Sequence, residues 1–339
     1  MDAIFYEAFS EEKRALLRHL PKEVKADFSK GPIPSKPSPK PPARLISIRT
    51  QSIIPCGWAA HLAGVLTRSS GYDHVVAFRS RCKGNVSCGY LPSYCARAVA
   101  EHALLMTMTL ARKLKRQMKN FTAFDRDDIT GTECLNRTLV VAGVGRIGSE
   151  IVRLGVGVGM RVLGVDLVKR LPSLEYVSLE EGVSVADVLV CALPLTIQTR
   201  GLLRYELLRR ARRGMLFVNI SRGEISPTRD LKRLLREGTL SGIGLDVFED
   251  EPELVSFLRS GKGNLTPSGK AALQLLKDDR VLMTPHNAFN TQEALERKAK
   301  QSVESVVAFL RQGFFPDPIP EEAFEVTPPT SPPGKILEE

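Results

Sequence analysis

A chain of 339 residues, of which 43% are hydrophobic and 25% charged, can bury a sizeable core, and this length usually divides into two domains. These proportions exclude a disordered tail and a miniature protein. The sequence contains no uncharged apolar run of membrane-crossing length, and its first residues are acidic where a secretory signal is basic, so we expect a cytoplasmic protein with no membrane partner.

The formal net charge of +10 raises the question of a nucleic-acid partner, because polyanions bind clustered lysine and arginine. The basic clusters are dispersed along the chain, at residues 30–44, 112–116 and 209–213. No aromatic side chains alternate with them, as a stacking platform for bases requires. We therefore expect solvent-exposed charge and no nucleic-acid partner.

The six cysteines follow no CxxC spacing, and the intervals between them are too irregular for a zinc knuckle. This pattern predicts reduced thiols throughout and no bound metal.

The N-terminal part of the chain alternates between strand-like and helical patterns. The predicted elements are strands over residues 3–9, 44–50 and 63–69, a helix over residues 10–20 and an extended, proline-rich surface loop over residues 31–44. From Pro92 an apolar stretch runs to the basic residues 112–116, which predicts a long helix with positive charge at its end. Such a helix is suited to bridging two domains.

Beyond this helix the alternation of strands and helices becomes regular. The predicted strands are residues 138–143, 161–166, 188–192, 215–220, 242–247 and 281–284. Between two of them, residues 227–238 predict a helix with proline at its start and glycine just past its end. The pattern predicts an α/β domain with a doubly wound parallel sheet, followed by an amphipathic helix over residues 291–311.

A glycine motif stands between the first of these strands and the next helix. Gly143 permits the tight turn, Gly145 lets a pyrophosphate approach the backbone, and Gly148 lets the helix pack closely against the strand. The phosphates then lie at the helix N-terminus, where free N–H groups and the helix dipole stabilise an anion. Asp166 ends the next strand, where it can accept hydrogen bonds from the adenosine ribose.

The same acid indicates which dinucleotide binds. A carboxylate at Asp166 repels a 2′-phosphate, which favours NAD over NADP. Lys169 and Arg170 follow closely and soften this preference. The predicted cofactor is NAD.

Polar residues follow three later strands of the same predicted sheet, at the edge where open α/β sheets bind ligands. Arg222 follows the strand over residues 215–220, and its guanidinium can hold a carboxylate and polarise the neighbouring carbonyl. Glu251 follows the strand over residues 242–247, but several acids stand close together there, and position alone does not choose among them.

His286 follows the last predicted strand and is the only histidine after His102. An imidazole beside a carboxylate can donate a proton when a carbonyl is reduced, since the carboxylate favours the charged form of the ring. The arginine, the acid and the histidine together predict hydride-transfer chemistry on a small oxo acid.

The sequence blocks around these residues resemble a known family over nearly the whole chain. The blocks GVGRIGSEI, NISRGE, SGIGLDVFEDEPEL and MTPHNAF are similar, in order and spacing, to those of the D-2-hydroxyacid dehydrogenases. GYDHV and GYLPSYCARAVAEHA are similar to the D-lactate dehydrogenase branch. The resemblance selects Glu251, directly before Pro252, as the family's acid rather than Glu249. Formate dehydrogenases carry glutamine at that position, so formate is disfavoured.

The resemblance implies roles for individual residues. His286 exchanges the proton on the substrate's C2 oxygen while hydride moves to or from the nicotinamide, Glu251 orients and charges His286, and Arg222 holds the substrate. Further substrate contacts match Ser70 and Gly71, through backbone N–H groups, together with Tyr94 and with Phe289, where the lactate branch often has tyrosine. The implied cofactor contacts, besides the three glycines and Asp166, are Arg146, Ile147, Leu193, Pro194, Thr199, Ile220 and Asp246.

The resemblance also implies the domain organisation. Residues 1–102 and 290–339 are expected to form a flavodoxin-like, substrate-binding domain, with a Rossmann NAD-binding domain over residues 103–289 inserted into it. Substrate is expected to bind in the cleft between the two, and the protein is expected to be a homodimer.

Three functions remain open on the sequence. The first is reduction of pyruvate to D-lactate with NADH. The second is the same chemistry on glyoxylate, hydroxypyruvate or a bulkier 2-oxo acid, in a changed pocket. The third is an NADH-sensing transcriptional corepressor built on this fold, although no added nucleic-acid-binding domain is evident.

Overall fold

The computed structural model describes residues 1–82 and 85–325, which contain two separate β-sheets. The strands in this part of the chain are β1 (Ala3–Phe5), β2 (Ala26–Phe28), β3 (Leu45–Ile48), β4 (Gly64–Thr67), β5 (Ser87–Gly89), β6 (Thr138–Ala142), β7 (Arg161–Val165), β8 (Glu175–Tyr176), β9 (Val188–Cys191), β10 (Met215–Asn219), β11 (Leu240–Leu245) and β12 (Val281–Met283). The helices are α1 (Ser10–His19), α2 (Asp73–Cys82), α3 (Ala96–Ala111), α4 (Leu114–Asn120), α5 (Arg146–Gly157), α6 (Leu179–Val185), α7 (Tyr205–Leu208), α8 (Thr228–Glu237), α9 (Glu251–Ser260), α10 (Pro267–Leu275), α11 (Gln292–Gln312) and α12 (Glu322–Glu325). None of these helices is both long and apolar enough to cross a membrane.

The first compact unit combines Met1–Tyr94 with the chain from Gln292 onwards. Its sheet has the order β2-β1-β3-β4-β5, and every neighbouring pair is parallel. Helix α11 packs against α1 and β4 and so completes this unit from the C-terminal side. The strand order is that of flavodoxin-like domains, which confirms this half of the predicted fold class.

The second unit, Cys95–Thr291, contains all six strands that the sequence predicts for it. Its parallel sheet has the order β12-β11-β10-β9-β6-β7-β8, with the central strands almost wholly buried. The chain passes from β6 outward to β7 and β8, then returns to β9 on the other side of β6. This reversal creates the switch point at which doubly wound sheets bind their ligands, and it confirms the Rossmann half of the prediction.

The chain leaves the first unit before α3 begins. The sequence analysis places this boundary between residues 102 and 103, inside the helix, whereas the compact units divide between Tyr94 and Cys95. Helix α3 packs along α5 and against β10 and β11, so all of it belongs to the second unit. What each unit binds remains a prediction, and residues 326–339 of the predicted substrate domain lie outside the described residues.

One prediction about the cysteines is wrong. Cys56 and Cys82 form a disulfide, with their Cα atoms 5.0 Å apart, whereas Cys88, Cys95, Cys134 and Cys191 are reduced thiols. Helix α2 brings its last residue back beside the turn that contains Cys56, and a spacing pattern cannot show this proximity. In a chain-entropy description, a bridge across 26 residues stabilises the fold by about 3 kcal/mol.

A buried cluster of charges lies within the first unit. The side chains of Glu12, Arg68 and Lys298 are all fully buried, and one Glu12 oxygen lies 3.0 Å from Arg68 Nε and 2.8 Å from Lys298 Nζ. Burial alone would raise the pKa of Glu12, but the positive charges of Arg68, Lys298 and Arg49 outweigh this effect and lower its pKa to about 2. Burial lowers the pKa of Lys298 to about 7 despite the attraction of Glu12. At neutral pH the cluster therefore holds one carboxylate, the permanent cation Arg68 and a lysine that is only partly charged.

Glu12 and Lys298 are therefore expected to contribute unequally to the free energy of unfolding. We expect Glu12→Gln to lower the free energy of unfolding by about 3–5 kcal/mol, because it leaves the buried Arg68 guanidinium without its counter-ion. Lys298→Met, in contrast, is expected to change it by about 1 kcal/mol or less, since Glu12 and Arg68 remain paired. Urea unfolding at neutral pH measures both values, and equal losses in the two variants would contradict this account.

Candidate active site

The candidate residues of the second unit lie at one edge of its sheet. Because all the strands are parallel, the loops that follow β6, β9, β10, β11 and β12 leave the sheet at the same edge. Open α/β sheets bind ligands at this edge, beside the switch point.

The glycine loop between β6 and α5 contains two kinds of glycine. Gly143 has a φ of +94°, and a Cβ there would lie 2.7 Å from Ala192 backbone atoms. A Cβ on Gly148 would lie 1.9 Å from the Gly143 carbonyl oxygen. A Cβ on Gly145 would meet no protein atom within 4 Å. The fold itself therefore requires Gly143 and Gly148, whereas the space in front of Gly145 is open to a ligand.

This open space fits the phosphates of a dinucleotide. Gly145 precedes the first residue of α5, a twelve-residue helix, so the free N–H groups of its first turn face the same region. Arg146 is exposed and Ile147 half-buried at this helix end. The residues that match the family's pyrophosphate contacts are thus accessible.

Asp166, at the end of β7, contacts the glycine loop itself. Its Oδ2 accepts a hydrogen bond from the Val144 N–H at 2.7 Å, and its Oδ1 accepts one from the Val168 N–H at 2.9 Å. The carboxylate therefore braces the turn that the phosphates would approach. Its predicted contact with the ribose remains a prediction.

The loop after β9 is folded onto itself by one side chain. Thr199 Oγ1 donates a hydrogen bond to the Pro194 carbonyl at 2.6 Å and accepts one from the Thr196 N–H at 2.8 Å. Leu193 packs against the hydrophobic core of the unit, and Ile220, after β10, is 7% exposed. Leu193 and Ile220 are apolar residues of the loops beside the switch point. Pro194, in the loop after β9, is exposed.

Arg222 is carried by a tightly held turn after β10. Asn219 is fully buried, and its side-chain amide donates to the Arg222 carbonyl at 2.9 Å while its side-chain oxygen accepts from the Ser221 N–H at 2.9 Å. A Cβ on Gly223 would lie 2.0 Å from Phe248 backbone carbon, so this turn fits directly against the segment after β11. Asn219 is not among the residues predicted from the sequence, although an amide at the end of a buried strand is a signal for such a turn.

Glu251 and His286 are in direct contact. Nδ1 of the imidazole lies 2.8 and 3.0 Å from the two Glu251 oxygens, and the side chains are 26% and 20% exposed. Glu251 is the first residue of α9, and His286 is in the left-handed backbone region with a φ of 51°. Because the carboxylate engages Nδ1, Nε2 is the ring nitrogen available to exchange a proton with a ligand.

The neighbouring acid Glu249 has a different partner. One of its carboxylate oxygens accepts a hydrogen bond from the Thr228 N–H, at the first turn of α8, at 2.6 Å. This contact caps a helix and stabilises its positive end. Glu251 therefore contacts His286 while Glu249 caps a helix, and the catalytic role of Glu251 stays a prediction.

Asp246, after β11, anchors the segment that carries His286. The carboxylate is almost fully buried and accepts hydrogen bonds from the Thr284 hydroxyl at 2.6 Å, the Asn287 N–H at 2.8 Å and the Ala288 N–H at 2.9 Å. The sequence analysis predicts Asp246 as a cofactor contact. The structure adds a second role, because Asp246 holds the loop that contains His286. Phe289, which directly follows Ala288 in this loop, is also buried.

The remaining candidates belong to the first unit. Ser70 and Gly71 follow β4 in a loop where the Ser69 hydroxyl donates to the Gly71 carbonyl at 2.6 Å. Tyr94 is 4% exposed, and its carbonyl accepts a hydrogen bond from Arg297 Nε at 2.9 Å. Ser70 and Gly71 follow β4, and Tyr94 follows β5. These residues therefore come after the carboxyl ends of their strands, where an α/β unit presents its loops to a ligand.

Comparisons with known proteins agree with this geometry. Residues 102–288 match the family model of the D-isomer specific 2-hydroxyacid dehydrogenase, NAD binding domain. A glyoxylate reductase of Korarchaeum cryptofilum is 31% identical over 270 residues, 76% of each chain, and a D-lactate dehydrogenase of Staphylococcus epidermidis is 28% identical over 257 residues, 74% of this chain and 76% of that one. The crystal structure of a D-lactate dehydrogenase from Aquifex aeolicus, complexed with NAD and lactic acid, superposes with a TM-score of 0.82 at 29% identity, covering 97% of this chain and 100% of that one.

The two kinds of glycine are separable by substitution. We expect Gly145→Ala to leave the free energy of unfolding within about 0.5 kcal/mol of the parent, because its Cβ meets no protein atom. The same methyl group is expected to weaken NADH binding about 10-fold, since it occupies the space that a pyrophosphate needs. Gly148→Ala is the control, with an expected loss of stability of about 1–3 kcal/mol from its clash with Gly143.

Thermal unfolding and titration of NADH fluorescence measure the two effects. A Gly145→Ala protein that binds NADH as tightly as the parent would show that the open space does not receive the cofactor.

Proposed function

The chain belongs to the D-isomer-specific 2-hydroxyacid dehydrogenase family, as an NAD-dependent oxidoreductase of 2-hydroxy acids, and on that premise we propose that it reduces pyruvate to D-lactate. NADH, when bound, supplies the hydride that reduces the carbonyl carbon. The contact between His286 and Glu251 is the observation that carries the proposal, because it holds the imidazole through Nδ1 and leaves Nε2 to exchange a proton with the substrate.

We assign the proton transfer to His286. In the direction of reduction, Nε2 of the imidazolium donates its proton to the C2 oxygen, while Glu251 keeps Nδ1 fixed and compensates the positive charge. In the direction of oxidation, the neutral ring accepts the proton of the C2 hydroxyl. Glu251 acts on the substrate only through the imidazole.

We assign substrate binding to Arg222 and to the loop after β4. The Arg222 guanidinium can hold the carboxylate of a 2-oxo acid in a bidentate manner and polarise its carbonyl. Backbone N–H groups of Ser70 and Gly71 supply further donors for the carboxylate. Tyr94 and Phe289 then contact the substituent on C2, so these two side chains control which oxo acid fits.

The choice of pyruvate rests on the lactate branch, and glyoxylate is the second candidate. Support for pyruvate comes from the sequence around Tyr94 and from the Staphylococcus and Aquifex relatives, which are D-lactate dehydrogenases. Support for glyoxylate comes from the Korarchaeum relative, which is a glyoxylate reductase and is 31% identical. The two substrates differ by one methyl group, for which a hydrophobic pocket typically discriminates by about 10- to 200-fold.

A panel of 2-oxo acids tests the proposal. We expect NADH oxidation with pyruvate, glyoxylate, hydroxypyruvate and phenylpyruvate to give the highest kcat/KM for pyruvate. His286→Ala is expected to lower kcat by about 10²- to 10⁴-fold with little change in NADH affinity, because it removes the proton donor alone. His61→Ala, an exposed histidine of the first unit, is the matched control and is expected to keep the parent's activity.

Three outcomes of this panel carry different meanings. A higher kcat/KM for glyoxylate would overturn the choice of pyruvate but not the reaction type. Full activity of His286→Ala would overturn the assigned proton donor. NADH binding without turnover on any oxo acid would favour a corepressor-type binding protein.

We also propose that the protein is a homodimer, formed through the segment around α4. Helix α4 has no buried residue, and the apolar side chains of Met118, Phe121 and Phe124 are 68%, 73% and 70% exposed. Large exposed apolar side chains that follow one another along a segment are typical of a surface that is covered in the assembled protein. A second copy of the chain is the occupant that the family resemblance implies.

Light scattering with size-exclusion chromatography tests this interface. We expect Phe121→Asp to convert the dimer to a monomer, because a buried aspartate without a partner opposes association. Leu17→Asp, an equally drastic change at a half-exposed leucine of the first unit, is expected to leave the dimer intact. A parent protein that is monomeric at assay concentration would refute the proposed interface.

A further inference from the structure

We infer that His102 and Thr284 are positioning residues for the proposed reaction, joined to Asp246 in a hydrogen-bond chain that fixes the loop carrying His286. The inference rests on the proposed function of His286. It adds His102, a histidine on helix α3 rather than on one of the loops at the sheet edge.

The direction of each hydrogen bond in the chain follows from its donors. The buried Asp246 carboxylate accepts from the Asn287 and Ala288 N–H groups, so it is the acceptor for the Thr284 hydroxyl at 2.6 Å as well. The only hydrogen of that hydroxyl is then used. Thr284 Oγ1 must therefore accept from His102 Nε2, which lies 3.1 Å away. The chain runs from His102 through Thr284 to Asp246.

His102 stands close enough to Asp246 to act on its charge. Nε2 lies 3.9 Å from the nearer carboxylate oxygen, and the His102 side chain is 19% exposed while that of Asp246 is 2% exposed. A buried carboxylate needs all of its donors, because water does not reach it to replace a lost one. The N–H of His102 keeps the Thr284 hydroxyl directed at the carboxylate.

The loop held by Asp246 has an unfavourable backbone conformation. His286 has a φ of 51°, in the left-handed region that non-glycine residues rarely adopt. Such a conformation persists only where the surrounding structure enforces it. Thr284 on one side of His286, and Asn287 and Ala288 on the other, all bond to the same carboxylate. This arrangement fixes both flanks of the histidine.

The position of α3 explains how a distant helix enters the site. The helix packs against β10, β11 and β12, and His102 is in its first half. It therefore meets the end of β12, where Thr284 follows the last strand residue. Through this contact the helix, and not only the sheet, determines where the imidazole of His286 lies.

Conservative and disruptive variants of Thr284 separate positioning from stability. We expect Thr284→Val to lower kcat with pyruvate about 100-fold, because a misplaced catalytic group loses this order of rate, while KM and NADH affinity change little. Thr284→Ser, which restores the hydroxyl, is expected to recover most of the kcat. At His102, the corresponding pair is His102→Leu, with an expected loss of about 10-fold, and His102→Gln, which keeps an N–H donor.

A double variant gives the sharpest readout. In the His286→Ala background, Thr284→Val is expected to cause no further loss of kcat, because no imidazole remains to be positioned. Thermal unfolding of every variant verifies that the folded protein is assayed.

Two results would overturn the inference. One is an unchanged kcat in Thr284→Val, and the other is a full 100-fold loss from that change when His286 is already absent. Retained activity of His286→Ala alone is a different result, since it refutes the proposed function and not the hydrogen-bond chain.

Discussion

The burial of one carboxylate determines the geometry of the site. Asp246 directly follows β11 in the interior of the second unit, where an anion is stable only if several donors surround it. The donors come from the segment after β12, which must fold over the end of β11 to supply them. His286 lies in the middle of that segment and is thereby directed at Glu251, at the start of the next helix along the sheet edge. The position of the His286–Glu251 pair therefore depends on the buried carboxylate of Asp246.

The architecture was predictable because its determinants are local in the sequence. The long buried strands of the second unit are continuous apolar runs. The glycine loop contains three glycines at a fixed spacing, and glycine is expected at each position for a separate reason. The sequence pattern does not predict β2, β5 and β8, which have three, three and two residues and lie at the edges of their sheets. A strand of two or three residues is too short to show the alternation of apolar and polar residues by which a strand is recognised in a sequence. The strand predicted over residues 3–9 likewise reduces to β1, Ala3–Phe5.

The features that escaped prediction are those created by tertiary contact. Glu12 and Lys298 look like solvent-exposed charges in amphipathic helices, and only the packing of α1 against α11 places both around Arg68. The disulfide between Cys56 and Cys82 has the same origin. At the candidate site, the residue types and their order along the chain were sufficient to name Arg222 and His286. The partners that hold them, Asn219 and Thr284, became visible only in three dimensions.

The origin of α11 has a consequence for how the protein is made. The second unit is synthesised as one uninterrupted stretch, whereas the first is divided into two segments, and α11 is synthesised only after the whole of the second unit. The sheet of the second unit can thus fold on the nascent chain before α11 has been made. During this time the flavodoxin-like sheet, although synthesised earlier, lacks the helix that covers β4, and Glu12 and Arg68 lack Lys298. Because α11 is made only after the second unit, the N-terminal sheet stays incomplete while that unit is synthesised, and its uncovered apolar strands are where chaperones would bind during that interval.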